Sequence, residues 1–312
     1  MDIEYLLFLQ NWREGMNNAL TPFLMGVSDI ADKWILLLPV IIYWCINKKN
    51  GLFLCLSYGI SILLNGLIKL TACVYRPWVR EPKIIPAGNA IATAGGYSFP
   101  SGHTMTATPV AGGISVLTWK KNKIVSILFM FFIILTMFSR NYLGVHTPQD
   151  VIVGLVLGIF AIYISSTIFN YVEKNPEKEN FVILIGIIIC VISFVYINLK
   201  SYPMDYDANG KLLVNPKDMI RSTYSNIGVF SGFLIGRYIE KRFINFSVTG
   251  LNFKGIFLAV IGVIIYVLMV LYMKDILVGY LGKFWGRYFN QFVMMFFAIA
   301  LWPAVLKKFQ TC

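Results

Sequence analysis

Histidine is almost missing from this chain, occurring twice in 312 residues. Charge is scarce as well, at 13% of residues, and acid is the rarer sign: 15 Asp and Glu stand against 27 Lys and Arg. So few charges beside 57% hydrophobic residues exclude an ordinary soluble domain. A magnesium site wants several carboxylates, and around the two histidines only Asp150, with Glu81 nearby, is on offer. The formal net charge of +12 does not point to nucleic acid, because no soluble basic domain is present to carry such a surface. Five cysteines, an odd number without regular spacing, make no disulfide framework. Cys45, Cys55, Cys73 and Cys190 lie in apolar runs and read as small hydrophobes, while terminal Cys312 has no prenylation box. Residues 1–18 lack the basic start and small-residue cleavage site of a signal peptide, and fit an interfacial amphipathic helix better. Long linkers and low-complexity tracts are missing too.

What is present is apolar sequence in bilayer-length runs, with a mean hydropathy of +0.69. A spanning helix needs about 20 residues, and the runs are continuous rather than alternating, so the chain is expected to be an all-α polytopic membrane bundle and not a β-barrel. About nine spans are expected, near 30–47, 51–72, 101–119, 124–140, 149–170, 181–199, 220–239, 254–272 and 287–306. The first is short and contains Pro39. Alternating sides from the first span collects Lys48-Lys49, Lys120-Lys121-Lys123, Lys174, Lys178, Arg237, Lys241, Arg242 and Lys307-Lys308 on one face. Raw Lys and Arg counts nearly balance between the faces. The opposite face holds most of the acids, and its Lys69, Arg76 and Arg140 have another job, so the first face is expected to be cytoplasmic.

Both histidines keep company with oxyanion-binding residue types. His103 closes Ser98-Phe99-Pro100-Ser101-Gly102-His103, and His146 sits in Ser139-Arg140-x5-His146-x3-Asp150. Upstream, Lys69-x6-Arg76-Pro77 adds two cations. The topology puts all three stretches at helix ends on the non-cytoplasmic side. Lys69, Arg76 and Arg140 supply a fixed positive field for phosphoryl oxygens, the arginines as bidentate forks. Read blandly, they are snorkelling residues at span ends. Ser101-Gly102-His103 opens a helix, whose free N–H groups suit an anion; Gly102 permits close approach and Ser101 adds a hydroxyl, although Pro-Ser-Gly is equally a capped turn. Thr147-Pro148-Gln149-Asp150 reads as another helix start, so Asp150 serves either as a cap or as the acceptor that fixes the His146 tautomer. In the second case the other His146 nitrogen is free to attack, and His103 protonates the departing oxygen. The cations are expected to lower both imidazole pKa values, with Asp150 partly restoring that of His146.

In order and spacing these three stretches resemble the signature motifs of the type 2 phosphatidic acid phosphatase superfamily, over roughly residues 50–170. The resemblance implies a six-helix-type phosphatase core and a phosphohistidine on His146 oriented by Asp150. It implies His103 as leaving-group acid, with Lys69, Arg76, Ser101, Gly102 and Arg140 around the phosphoryl group. No metal and no cofactor are implied. The added spans are similar to the layout of sphingosine-phosphate phosphatases and glucose-6-phosphatases. On this reading residues 1–29 form an N-terminal interfacial helix, 30–199 the phosphatase membrane core and 200–312 additional transmembrane helices. The expected activity is hydrolysis of a phosphorylated membrane lipid, with the bilayer as partner and no role for nucleic acid. The expected setting is a multi-pass protein of a bacterial cytoplasmic membrane with its site facing outward, or facing the endoplasmic reticulum lumen in a eukaryote. A lipid phosphotransferase uses the same residues, and a transporter or binding protein that borrows the anion pocket is the alternative from another class.

Overall fold

The computed structural model describes residues 2–309. In chain order the helices are α1 (Asp2–Gly15), α2 (Thr21–Asp29), α3 (Leu37–Ile41), α4 (Lys48–Ala72), α5 (Pro77–Arg80), α6 (Gly102–Ala107), α7 (Gly113–Thr118), α8 (Lys123–Tyr142), α9 (Pro148–Lys174), α10 (Glu179–Leu199), α11 (Pro216–Ile239), α12 (Phe253–Phe296) and α13 (Trp302–Lys308). Wide turns at Thr108–Gly112 and Phe297–Leu301 join α6 to α7 and α12 to α13. Among the described residues the nearest thing to a strand is one antiparallel bridge between Tyr206 and Leu212.

The protein is all-α and polytopic. Five helical stretches among the described residues are long and apolar enough to cross a membrane: Lys48–Arg80, Lys123–Tyr142, Pro148–Lys174, Pro176–Leu199 and Phe253–Lys308. One expected span and one expected connection between spans look different in the structure. Residues 30–47 are broken into Ile30–Trp34, α3 and Ile42–Ile46, with Pro39 inside α3. The expected loop at 273–286 is largely helical, and α12 breaks only at Gly282, whose φ of +75° an L side chain rarely adopts. Gly286 then lies against the backbone of Leu277 and Val278, so the chain doubles back there as a helical hairpin. Cys45, Cys55, Cys73 and Cys190 are free thiols, and Cys312 lies outside the described residues.

The chain divides into two compact units, neither a single stretch of sequence. The first comprises residues 1–35, 64–162 and 201–219; the second comprises 36–63, 163–200 and 220–312. In the first unit α1 buries Leu6, Leu9, Gln10 and Arg13. Arg13 donates to the Tyr142 carbonyl at 3.2 Å and the Ile85 carbonyl at 2.8 Å, clamping the 81–87 loop to the end of α8. Leu24 of α2 packs into a core with Ala87, Ala90, Ala94, Tyr142, Leu143 and Val145. Two glycines of α9 set how closely it lies on α6. A Cβ added at Gly158 would sit 2.5 Å from Thr108 Cβ, and one at Gly154 would sit 3.1 Å from the Ser101 carbonyl oxygen.

The second unit uses the same device on α11. Cβ atoms at Gly228, Gly232 and Gly236 would lie 2.3 Å from the Tyr288 oxygen, 2.5 Å from the Phe292 oxygen and 3.0 Å from Ile299 Cβ. Three glycines at four-residue spacing thus seat α11 against the second arm of α12 and the turn beyond it, as membrane helices do when small residues face a neighbour. Its buried charges are paired: Glu240, fully buried, meets Lys48 at 2.6 Å and Arg237 at 2.8 Å, and Glu179 meets Arg237 at 2.8 Å and also Lys241.

Candidate active site

All the site residues singled out in the sequence lie in the first unit. Gly144, with φ +72°, ends α8 and turns the chain back, so that Arg140 and His146 flank one short loop. Thr147 and Asp150 cap α9 reciprocally: the Thr147 amide donates to Asp150 Oδ2 at 2.9 Å and the Asp150 amide to Thr147 Oγ1 at 3.4 Å. Asp150 Oδ2 also accepts from Ser98 Oγ at 2.5 Å and lies 3.2 Å from His146 Nδ1. Capping and imidazole contact were alternatives for Asp150 in the sequence; one oxygen does both.

That arrangement fixes the His146 tautomer. An ionised carboxylate accepts only, so Nδ1 carries the proton and Nε2 carries the lone pair. Arg76 Nη1 lies 2.8 Å from Nε2, a donor facing that lone pair. His146 is 1% exposed. Burial, then the Arg76 guanidinium, holds its pKa well below the ordinary 6.5, against the opposing pull of Asp150. Imidazole at this position is therefore neutral at neutral pH.

The three cations are used unequally. Lys69 Nζ donates to the Tyr97 and Ser98 carbonyls, both at 3.0 Å. Arg76 donates through Nη2 to Gly95 (3.1 Å), through Nε to Gly96 (3.2 Å) and through Nη1 to Val145 (2.9 Å). Segment 95–98 is thus wrapped on two cations by its own main-chain oxygens. Arg140 differs. It is fully buried, and only its Nη1 has a partner, Ser28 Oγ at 3.0 Å; Nε and Nη2 have none among the described residues. A buried guanidinium edge with two free N–H groups suits a pair of phosphoryl oxygens.

Ser101 is the N-cap of α6, its Oγ accepting from the Thr104 hydroxyl at 3.1 Å. Its amide donates to the Asp150 carbonyl at 2.9 Å, which locks the start of α6 to the start of α9. Gly102 faces Asn65, which holds the Pro100 carbonyl at 3.2 Å. His103 is buried, its Nε2 has no partner among the described residues, and it feels the charges of Arg140, His146, Arg76 and Lys69. All eight expected residues therefore belong to one neighbourhood. Sequence reasoning missed Ser98, Ser28 and Asn141, whose Nδ2 holds the His146 carbonyl at 2.9 Å. Only Ser98 left a trace, as the first residue of the His103 stretch. Among the described residues no three His, Cys, Asp or Glu side chains come together as a metal site would need.

Residues 50–174 match the PAP2 superfamily, and residues 224–311 match the transmembrane extension of PAP2 superfamily phosphatases. A probable sphingosine-1-phosphate phosphatase of Dictyostelium discoideum is 30% identical over 195 residues, 58% of this chain and 46% of that protein. An undecaprenyl-diphosphatase of Sulfolobus acidocaldarius is 31% identical over 139 residues, 42% of this chain and 61% of that protein. Phosphatidylglycerophosphatase B of Bacillus subtilis is 26% identical over 180 residues, 55% of this chain and 83% of that protein. The matched stretch thus spans about half of the first relative's length and under two thirds of the second's. No solved structure matches the chain.

Proposed function

From the PAP2 superfamily, to which this chain belongs, we propose a metal-independent phosphatase that removes phosphate from a phosphorylated membrane lipid. The observation that carries this reading is the His146 imidazole held through Nδ1 by Asp150, with Arg140 at the other end of the same short loop keeping a buried guanidinium edge free among the described residues. In the first step Arg76 Nη1 releases His146 Nε2 and turns to the phosphoryl oxygens, Nε2 attacks phosphorus, and the P–O bond to the lipid breaks. His103 gives its proton to the leaving oxygen. Water then attacks the phosphohistidine, its proton passes to His103, and the N–P bond breaks to release phosphate. Arg140, the α6 N-terminus with Ser101 and Gly102, and the field of Lys69 and Arg76 stabilise charge growing on the equatorial oxygens. Apolar helix faces leave the lipid tail in the bilayer while the head group reaches His146.

The named relatives act on a sphingosine phosphate, an undecaprenyl diphosphate and a phosphatidylglycerophosphate. The deciding experiment is phosphate release by purified protein from a lipid panel: phosphatidate, sphingoid-base phosphate, prenyl diphosphate and phosphatidylglycerol phosphate, with glucose-6-phosphate as soluble control. Release without an added acceptor, insensitive to EDTA and inhibited by vanadate, is expected. Activity lost in EDTA and restored by magnesium overturns the metal-free reading, and turnover only with an acceptor alcohol makes the protein a phosphotransferase.

The site is proposed to face away from the cytoplasm, following the Lys and Arg of the short loops. Lys83→Cys and Asn122→Cys, both at exposed positions, test this in a cysteine-free background with an impermeant thiol reagent on intact cells. Labelling is expected at 83 and not at 122; the reverse inverts the topology.

A further inference from the structure

We propose that Ser28 is a positioning residue for the phosphoryl-binding arginine, supplied by an N-terminal segment that lies before the family match at residues 50–174. The inference rests on the functional reading above and names a residue that the motifs do not contain.

Ser28 sits in the last turn of α2 and is 4% exposed. Its Oγ lies 3.0 Å from Arg140 Nη1 and 3.0 Å from Ser139 Oγ, and Ser139 Oγ lies 2.8 Å from the Thr136 carbonyl. A hydroxyl has one proton, and a carbonyl only accepts. Ser139 therefore donates to Thr136 and accepts from Ser28. Ser28 has then given its proton away, and a lone pair faces Arg140. The direction of the whole chain of bonds follows: Arg140 to Ser28 to Ser139 to Thr136.

Which arginine nitrogen is engaged matters. In a planar guanidinium Nε–H and one Nη2–H point the same way and form the side-on fork, while Nη1 lies on the far side. Ser28 holds Nη1, and Nε with Nη2 are the two buried nitrogens without partners among the described residues. Ser28 thereby sets the plane of the guanidinium and leaves its bidentate edge to the ligand. The segment that carries Ser28 is itself fixed: Thr106 of α6 donates to the Ala31 carbonyl at 2.6 Å, and Arg13 grips the α8 end from the other side. Asp29 and Asp32 add carboxylates whose charge acts on Arg140.

The test uses full-length protein in detergent, with two readouts: vanadate affinity by calorimetry, and kcat and KM for lipid-phosphate hydrolysis. Losing a hydrogen bond to a charged group is expected to weaken vanadate binding roughly 10- to 100-fold in Ser28→Ala, and to lower kcat more than it raises KM. Ser28→Cys, close in volume but a weak acceptor, is expected to follow Ala and serves if Ser28→Ala fails to fold. Ser28→Thr keeps the hydroxyl and is expected to restore most of the affinity. In an Arg140→Ala background, Ser28→Ala is expected to cost nothing further, because its effect passes through the arginine. Parental vanadate affinity and kcat in both Ser28→Ala and Ser28→Cys overturn the proposal, as does an equal loss with Arg140 already removed. A parent protein that binds vanadate yet hydrolyses no lipid phosphate sinks the functional reading and leaves the Ser28 proposal standing. One that does not bind vanadate sinks both.

Discussion

Replacing Gly158 with alanine adds one methyl group at the closest approach of α9 to the chain after α6. The new Cβ would meet Thr108 Cβ at 2.5 Å and Cγ2 at 2.7 Å. Carbon atoms settle at about 3.5–4.0 Å, so the two elements must part by about 1 Å. Thr108 Cβ cannot rotate away, since it is fixed to the backbone. Overpacking of this kind costs roughly 1–3 kcal/mol, and alanine returns up to about 1 kcal/mol through its helix propensity. The loss of stability is therefore small. The loss of activity is not, because the same two stretches are also joined by the Ser101 amide on the Asp150 carbonyl at 2.9 Å, the bond that registers the α6 N-terminus against the start of α9. A misplacement of about 1 Å is enough for roughly a 100-fold fall in rate. Phosphate-release kinetics beside thermal unfolding should show kcat falling far more than stability. Gly26→Ala is the control, since nothing lies within 4 Å of a Cβ there, and it should keep both. Parental kcat in Gly158→Ala, or an equal loss in Gly26→Ala, would refute the argument that helix approach sets site geometry.

His146→Ala should abolish turnover and phosphoenzyme formation, while His103→Ala should spare p-nitrophenyl phosphate, whose leaving group needs little protonation; phosphoenzyme still trapped in His146→Ala refutes the assignment. Activity should fall as pH drops through the His146 pKa, which burial and Arg76 hold well below 6.5. Asp150→Asn removes the group that opposes them, so the acidic limb should move to still lower pH while kcat falls; a limb that moves upward contradicts this sign. Gly232→Ala places a Cβ 2.5 Å from the Phe292 carbonyl oxygen and should lower stability by about 1–3 kcal/mol in a thermal melt, with no change expected if the glycine stripe is incidental.

The motif residues were legible because each announces its chemistry locally: a helix start at Thr147-Pro148-Gln149-Asp150, a serine cap before α6, and cations at helix ends; Gly144, which ends α8, was not singled out. Their gathering was expected from alternating the spans across the bilayer, which puts all three stretches at helix ends on one side. What each cation touches was not legible. Lys69 and Arg76 read as phosphate ligands, yet most of their N–H groups engage carbonyls of residues 95–98 and 145, and no side-chain pattern marks a carbonyl acceptor. Ser28 was invisible for a different reason. It meets Arg140 across 112 residues of sequence, and a lone serine in an apolar helix carries no periodic or spacing signal. The turn between the last two spans was expected over residues 273–286, but the helix runs through most of that stretch and breaks at Gly282, because a single glycine with positive φ is enough to reverse it.

Lys48, Arg237 and Lys241 were counted among the cations that orient the chain across the bilayer. In the folded second unit they are bound to Glu179 and Glu240. On the topology proposed above, these side chains act twice, at different moments. While the nascent helices enter the membrane, lysine and arginine set the side on which a loop stays, and acids count for little. Once the helices are in place, the two glutamates take up the same cations, and a site that began with three loose positive charges retains a net of one. Insertion and assembly are therefore separable by mutation. Glu179→Gln with Glu240→Gln should leave every loop on its side while loosening the packed helices, whereas removing the cations should disturb both.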